Sequence, residues 1–181
     1  MLLSAPKSSL LLIDIQDRLL SAMSNPDQVI AKSQILLQAA ETLGLPVTMS
    51  EQYPKGLGHT VAALKTNTAT IFEKLSFSCW RDGALKTHFI NLHESSRPLV
   101  IVAGIEAHVC VMQTCIDLAN AGFGVFAVAD AMSSRKPESA ALAFERMRTN
   151  DVQVVNTEMV VFELLERAGT PHFKSLSALI K

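Results

Sequence analysis

Three residues of complementary chemistry stand at comparable places along the chain. Asp14 closes the apolar run Leu10-Leu11-Leu12-Ile13, Lys74 closes Thr70-Ile71-Phe72-Glu73, and Cys110 follows Leu99-Val100-Ile101-Val102-Ala103-Gly104. A thiol attacks a carbonyl as its thiolate, which calls for a proton acceptor within hydrogen-bond reach and a cation to hold the charge. Asp14 offers the first and Lys74 the second. In that scheme Asp14 takes the Cys110 proton, the sulfur adds to the carbonyl, the proton passes to a leaving amine, and water cleaves the thioester. Cys110 falls near the start of a helix, where unpaired N–H groups and the positive dipole end are expected to lower its pKa. The same N–H groups, that of Cys110 included, would form an oxyanion hole.

Each residue also has an ordinary reading: a turn acceptor, a solvated charge, a buried thiol. The helix pattern separates the cysteines. Positions 110, 113, 114 and 117 share one face and read Cys, Gln, Thr, Asp, while Cys115 joins Val111 and Leu118 on an apolar stripe, so Cys115 is expected in the core. Cys79 reads as packing. Gln52, Tyr53, Phe77 and Trp80 are the candidate substrate-binding residues, since small-molecule sites favour aromatic walls with a few polar groups. His108 precedes Cys110 by two positions and does not face it on a helix. No histidine or cysteine spacing suits a protein-built metal site, and no glycine pattern suits a dinucleotide, so no metal and no cofactor are expected.

The elements that must position these residues follow from periodicity and punctuation. Apolar runs at Ser9–Ile15, Pro46–Met49, Thr70–Lys74, Pro98–Ala103, Val125–Ala129 and Val152–Val155 read as strands. Between them, helices are expected from Asn25-Pro26-Asp27 to Gly44, from Ser78 through Phe89, from Glu106 to Ala121, from Pro137 to Arg148 and from Thr157 to Arg167. Ser50 to His59 reads as a loop, and Asp130 as a turn acceptor. Six strands alternating with helices describe an α/β protein: one domain over residues 1–181, built as an open, Rossmann-like parallel sheet with helices on both faces. Ligands bind such sheets at the carboxyl ends of the strands, where Asp14, Lys74 and Cys110 all fall.

A net charge of −1 without a basic stripe excludes the usual nucleic-acid and anionic-membrane binders, leaving a small-molecule substrate. No apolar stretch nears the roughly 18 residues of a membrane span. The first residues read as a strand and not as a signal peptide, and three unpaired cysteines suit a reducing, cytoplasmic compartment. Met159, Val160, Val161, Phe162, Leu164 and Leu165 make the last helix apolar on more than one face. That predicts either full burial or a second subunit, and the tail from Thr170 to Lys181 docks on its own domain or across that contact.

Three segments carry a resemblance: Leu11-Leu12-Ile13-Asp14-Ile15-Gln16-Asp17, Phe72-Glu73-Lys74-Leu75-Ser76-Phe77-Ser78, and Ala103-Gly104-Ile105-Glu106-Ala107-His108-Val109-Cys110-Val111. In order and spacing they resemble the isochorismatase-like cysteine hydrolase superfamily, over nearly the whole chain. The resemblance implies an Asp14, Lys74, Cys110 triad, a cis Ile105–Glu106 peptide aiming the Glu106 N–H into the oxyanion hole, and a homo-oligomer. Nicotinamidases of that superfamily carry an Asp-x-His and further His for a metal after strand two. Here Ser50 to His59 holds one His and no Asp. Isochorismate hydrolases can do without the cysteine, so Cys110 argues against their vinyl-ether chemistry. Glu51-Gln52-Tyr53-Pro54-Lys55-Gly56-Leu57-Gly58 looks most like the isochorismatase domain-containing subgroup. A hydrolase acting on non-peptide C–N bonds is therefore expected. A non-catalytic binding or scaffold protein on the same fold, and a thiol redox sensor, are the other readings.

Overall fold

The computed structural model describes residues 1–180. Its strands are β1 (Ser8–Ile13), β2 (Val47–Gln52), β3 (Ala69–Lys74), β4 (Leu99–Ile105), β5 (Gly124–Ser133) and β6 (Gln153–Val155). The helices are α1 (Asp17–Leu20), α2 (Pro26–Leu43), α3 (Pro54–Leu57), α4 (Gly83–Glu94), α5 (Met112–Asn120), α6 (Pro137–Arg148), α7 (Thr157–Leu165) and α8 (Phe173–Ala178). All six strands pair in parallel, in the order β3-β2-β1-β4-β5-β6.

Burial follows from position in that order. Every residue of β1 and β4 is buried, because both strands are central and covered on two faces, and this is why they read as unbroken apolar runs. Alternation divides them between two cores. Leu10 and Leu12 join Leu36, Ile101 and Val160 on the α2 and α7 side, whereas Leu11 and Ile13 join Phe89, Val102 and Cys115 on the α4 and α5 side. Burying each such aliphatic side chain contributes about 1.5–3 kcal/mol. A third, smaller core of Ala39, Val161, Leu165 and Leu176 docks α8 onto α2 and α7, so the tail packs on its own chain. Its final residue, Lys181, lies outside the described residues.

Several boundaries differ from expectation for identifiable reasons. β2 runs on to Gln52, since its polar end is paired and not solvated. α4 begins at Gly83, with Asp82 as its cap accepting from the N–H of Ala84 and Leu85; Ser78 instead precedes a separate 3₁₀ turn at Cys79–Arg81. Asn25 makes no side-chain cap, and α2 starts on Pro26 at its first position. Gly44 closes α2 in the left-handed conformation, φ 69°. The helix expected from Thr157 to Arg167 ends at Leu165.

Candidate active site

The strand order reverses between β1 and β4, and a crevice opens at the carboxyl ends of strands flanking such a reversal. Asp14 follows β1 there. It is fully buried and its backbone is left-handed, φ 52°, a conformation that costs about 1–2 kcal/mol and that Asp tolerates better than most residues. Its surroundings over-determine it. The Asp14 N–H donates to Ser50 O (3.0 Å) and its carbonyl accepts from the Gln16 N–H (2.8 Å). Its Oδ1 accepts from Ser50 Oγ (2.7 Å) and its Oδ2 from Lys74 Nζ (2.7 Å).

Neither side chain of the Asp14–Lys74 pair reaches solvent. A buried ammonium needs partners for all its protons. Besides Asp14, Lys74 Nζ donates to Gln52 Oε1 (2.7 Å) and to the carbonyls of Ser76 (3.2 Å) and Phe77 (3.1 Å). Burial pulls the Lys74 pKa down, but the Asp14 carboxylate, with Cys79 and Cys110 behind it, reverses this and holds the pKa above the ordinary lysine value.

Cys110 reaches the same place from the other side of the reversal. Gly104 has φ 126°, and a Cβ there would run into the Ile13 backbone, so glycine is what lets β4 come this close to β1. The Ile105–Glu106 peptide is cis. Ala107–Val111 then form a π turn before α5 begins at Met112, where an unbroken helix from Glu106 was expected. Cys110 is buried, and burial above all, then the Asp14 carboxylate, pushes its thiol well above the ordinary value against the pull of Lys74. Burial and the neighbouring carboxylate thus act in the opposite direction to the lowering expected of a helix start. Cys110 rests as a thiol, and its ionisation requires a proton acceptor.

The polar face of α5 fastens a loop beside this centre. Thr114 Oγ1 donates to the Cys110 carbonyl (2.7 Å) and accepts from the Cys79 N–H (2.9 Å), while Asp117 takes a two-point pair from Arg81 (2.8 and 3.2 Å). Cys79 therefore does more than pack: its Sγ lies 3.6 Å from Ser50 Oγ, and burial raises its thiol to about 11. Cys115 is fully buried in the core.

The four candidate substrate-binding residues separate. Gln52 is engaged within the protein, its Oε1 accepting from Lys74 Nζ and its Nε2 donating to Leu75 O (2.8 Å), so it holds the lysine. Trp80 packs edge-on against Phe123, with Lys86 above its ring. Tyr53 and Phe77 are about half exposed, and Tyr53 lines an open cavity of about 540 Å³ with Lys74, Leu75, Ser76 and Arg81. His108 bonds Ser134 Oγ (2.9 Å), and Glu106 is buried with its Oε2 on Arg135 Nε (2.9 Å).

Two buried residues were missed in the sequence. Gln16 ties the end of β1 to that of β2, accepting from the Gln52 N–H (2.7 Å) and donating to Gln52 O (3.0 Å) and Gly58 O (2.6 Å). Ser50 is the other. The available signal was alternation: Asp14-x-Gln16 and Ser50-x-Gln52 each place two polar side chains two positions apart at a strand end.

The Isochorismatase domain model matches residues 8–159. The chain belongs to the isochorismatase family. Within it, the secreted isochorismatase effector Isc1 of Phytophthora sojae is 35% identical over 182 residues, covering 97% of this chain and 86% of that protein. Isochorismatase domain-containing protein 1 of Danio rerio is 36% identical over 180 residues, covering 99% and 62% respectively. Among solved structures, one described as the MAR1 ribonuclease of Caenorhabditis elegans superposes with a TM-score of 0.91 at 34% identity, covering 99% of this chain and 92% of that one. Family membership brings a hydrolase-like fold with it. Among the described residues, no helix is long and apolar enough to cross a membrane.

Proposed function

We propose that this isochorismatase-family chain is a cysteine hydrolase of small amides or related acyl compounds, acting on non-peptide C–N bonds through a thioester. One observation carries the reading: a carboxylate with no solvent exposure, held 2.7 Å from a buried ammonium, beside a thiol that ionises only if something takes its proton. Asp14 takes that proton as the Cys110 Sγ–carbon bond forms. The tetrahedral oxyanion is met by the backbone N–H groups of Glu106 and Cys110, each typically worth about 3–4 kcal/mol. The C–N bond then breaks and Asp14 returns the proton to the leaving amine. Water adds to the thioester as Asp14 accepts one of its protons, and the proton goes back to Cys110 sulfur as the C–S bond breaks. Lys74 holds the carboxylate in place throughout.

No cofactor enters this scheme. Net charge −1 gives RNA no electrostatic footprint, so a small molecule is the favoured substrate over the ribonucleic acid named for the nematode relative. Three free buried cysteines suit a cytoplasmic, reducing location. Met159 and Phe162, exposed side by side on α7, support a homo-oligomer, to be checked by light scattering.

The test is a screen of small amides and esters, with an RNA arm, read by intact-protein mass for an acyl adduct. Turnover and an adduct in the wild type, both absent in Cys110→Ala, are expected. Equal loss in Cys110→Ala and Cys115→Ala would sink the assignment. No turnover, with Cys110 alkylated no faster than an ordinary thiol, would favour the non-catalytic binding protein.

A further inference from the structure

The triad residues come from β1, β3 and the turn after β4; β2 supplies none of them. Yet β2 lies between β1 and β3, and Ser50 and Gln52, two positions apart, present their side chains to the same face. Gln52 holds Lys74 and Ser50 holds Asp14, at 2.7 Å each. Ser50 makes two bonds to that residue, one from its hydroxyl to Oδ1 and one from the Asp14 N–H to its carbonyl. The hydroxyl is buried, so water cannot replace it, and the Cys79 thiol behind it donates into the same oxygen at 3.6 Å.

We propose that Ser50 is a positioning residue for the hydrolytic reaction: its hydroxyl fixes the Asp14 carboxylate on Oδ1 and sets how readily Asp14 accepts the Cys110 proton. The inference rests on the cysteine-hydrolase reading. A serine O–H donating to a carboxylate favours the charged form over the protonated one. With Lys74 on Oδ2 and Ser50 on Oδ1, both oxygens are held by donors, which fixes the orientation of a carboxylate that neighbours Cys110. The groups acting on Asp14 are Lys74 from β3, Cys79 from the 3₁₀ turn, Cys110 from the π turn and the Ser50 hydroxyl from β2. Ser50 is neutral and, unlike the two thiols, does not ionise over the working pH range, so its removal changes the hydrogen bond without changing the charge.

The experiment needs no known substrate. The rate of Cys110 alkylation by iodoacetamide is followed against pH by peptide mass mapping in the wild type, Ser50→Ala and Ser50→Thr, with thermal unfolding of each in parallel. Losing a charge-assisted bond is expected to move the acid limb of the Cys110 profile to higher pH by about one unit in Ser50→Ala. Ser50→Thr, which keeps the hydroxyl, is expected to return the limb to the wild-type position. A purely structural serine would change the melting temperature and leave the limb in place; that outcome overturns the proposal, as does a threonine variant behaving like alanine. Ser50→Gly removes the same hydroxyl and carries the same expectation should the alanine variant melt too early. If wild-type Cys110 reacts no faster than Cys115 at any pH, the hydrolase reading itself fails, a result distinct from an unmoved limb on a reactive cysteine.

Discussion

The carboxyl edge of the sheet carries two Asp–Lys pairs, and they differ in almost everything but residue type. Asp14 and Lys74 sit 2.7 Å apart with no side-chain exposure, at the reversal of strand order. Asp130 and Lys32 sit 3.7 Å apart, with 24% and 35% of their side chains exposed and Asp130 on β5, two strands along the sheet from β1. Asp130 spends its Oδ1 on the N–H (2.8 Å) and hydroxyl (2.9 Å) of Thr157, pinning the start of α7. One pair has a thiol beside it and a full set of buried partners; the other has water and a helix end. Asp14 follows the end of its strand, where other strands' ends are brought against it, whereas Asp130 lies inside β5, which runs on to Ser133 past the strand end expected at Ala129.

The sharpest way to break that comparison is by activity. Cys110→Ala and Asp14→Asn are expected to lower kcat/KM for any substrate found by about 10⁴-fold or more, as loss of a nucleophile or its base does, while Asp130→Asn leaves it within a few fold. Steady-state kinetics on the three variants decide it.

Stability separates the pairs next. Lys74→Met strands a buried carboxylate and is expected to cost about 3–5 kcal/mol in urea unfolding, whereas Lys32→Met removes a partly exposed ion pair and costs under about 1 kcal/mol. Similar losses in the two would erase the distinction.

Alkali should act on the buried site as well. The Cys79 pKa is raised from 9.0 to about 11 in the fold. The folded chain keeps that proton while the unfolded chain releases it, so the contribution is intact below pH 9 and is lost as pH rises toward 11. A urea midpoint that falls across this window, and falls less steeply in Cys79→Ala, is the expected result. The smallest effect is at the outer pair: Thr157→Ala should lose about 1 kcal/mol of stability with unchanged kinetics, as removal of one hydroxyl hydrogen bond does.

Much of this was legible in the chain. Strands buried on two faces leave unbroken apolar runs, so β1 and β4, and Asp14 at the end of the first, were plain. The end of β2 was not: Ser50, Glu51 and Gln52 look like a loop because their burial depends on partners from β1, β3 and the following loop, such as Thr60 on Glu51. A helix start at Ser78 suits its residue type; only the fold shows Ser78 buried and Asp82 capping α4. Trp80 shows the same limit, since an aromatic near a site and an aromatic packed on Phe123 have the same sequence. The direction of the Cys110 shift was hidden too, because position on a helix is local while desolvation is collective.

Lys74 has a consequence for what can enter. Its ammonium has three N–H bonds shared among four acceptors, all of them protein atoms. A guest bearing a carboxylate beside its reacting carbonyl finds no spare counter-ion in Lys74 and meets the charge of Asp14 instead. On the proposed hydrolase reading, uncharged amides are therefore expected to outpace their carboxylated analogues in a matched pair assay.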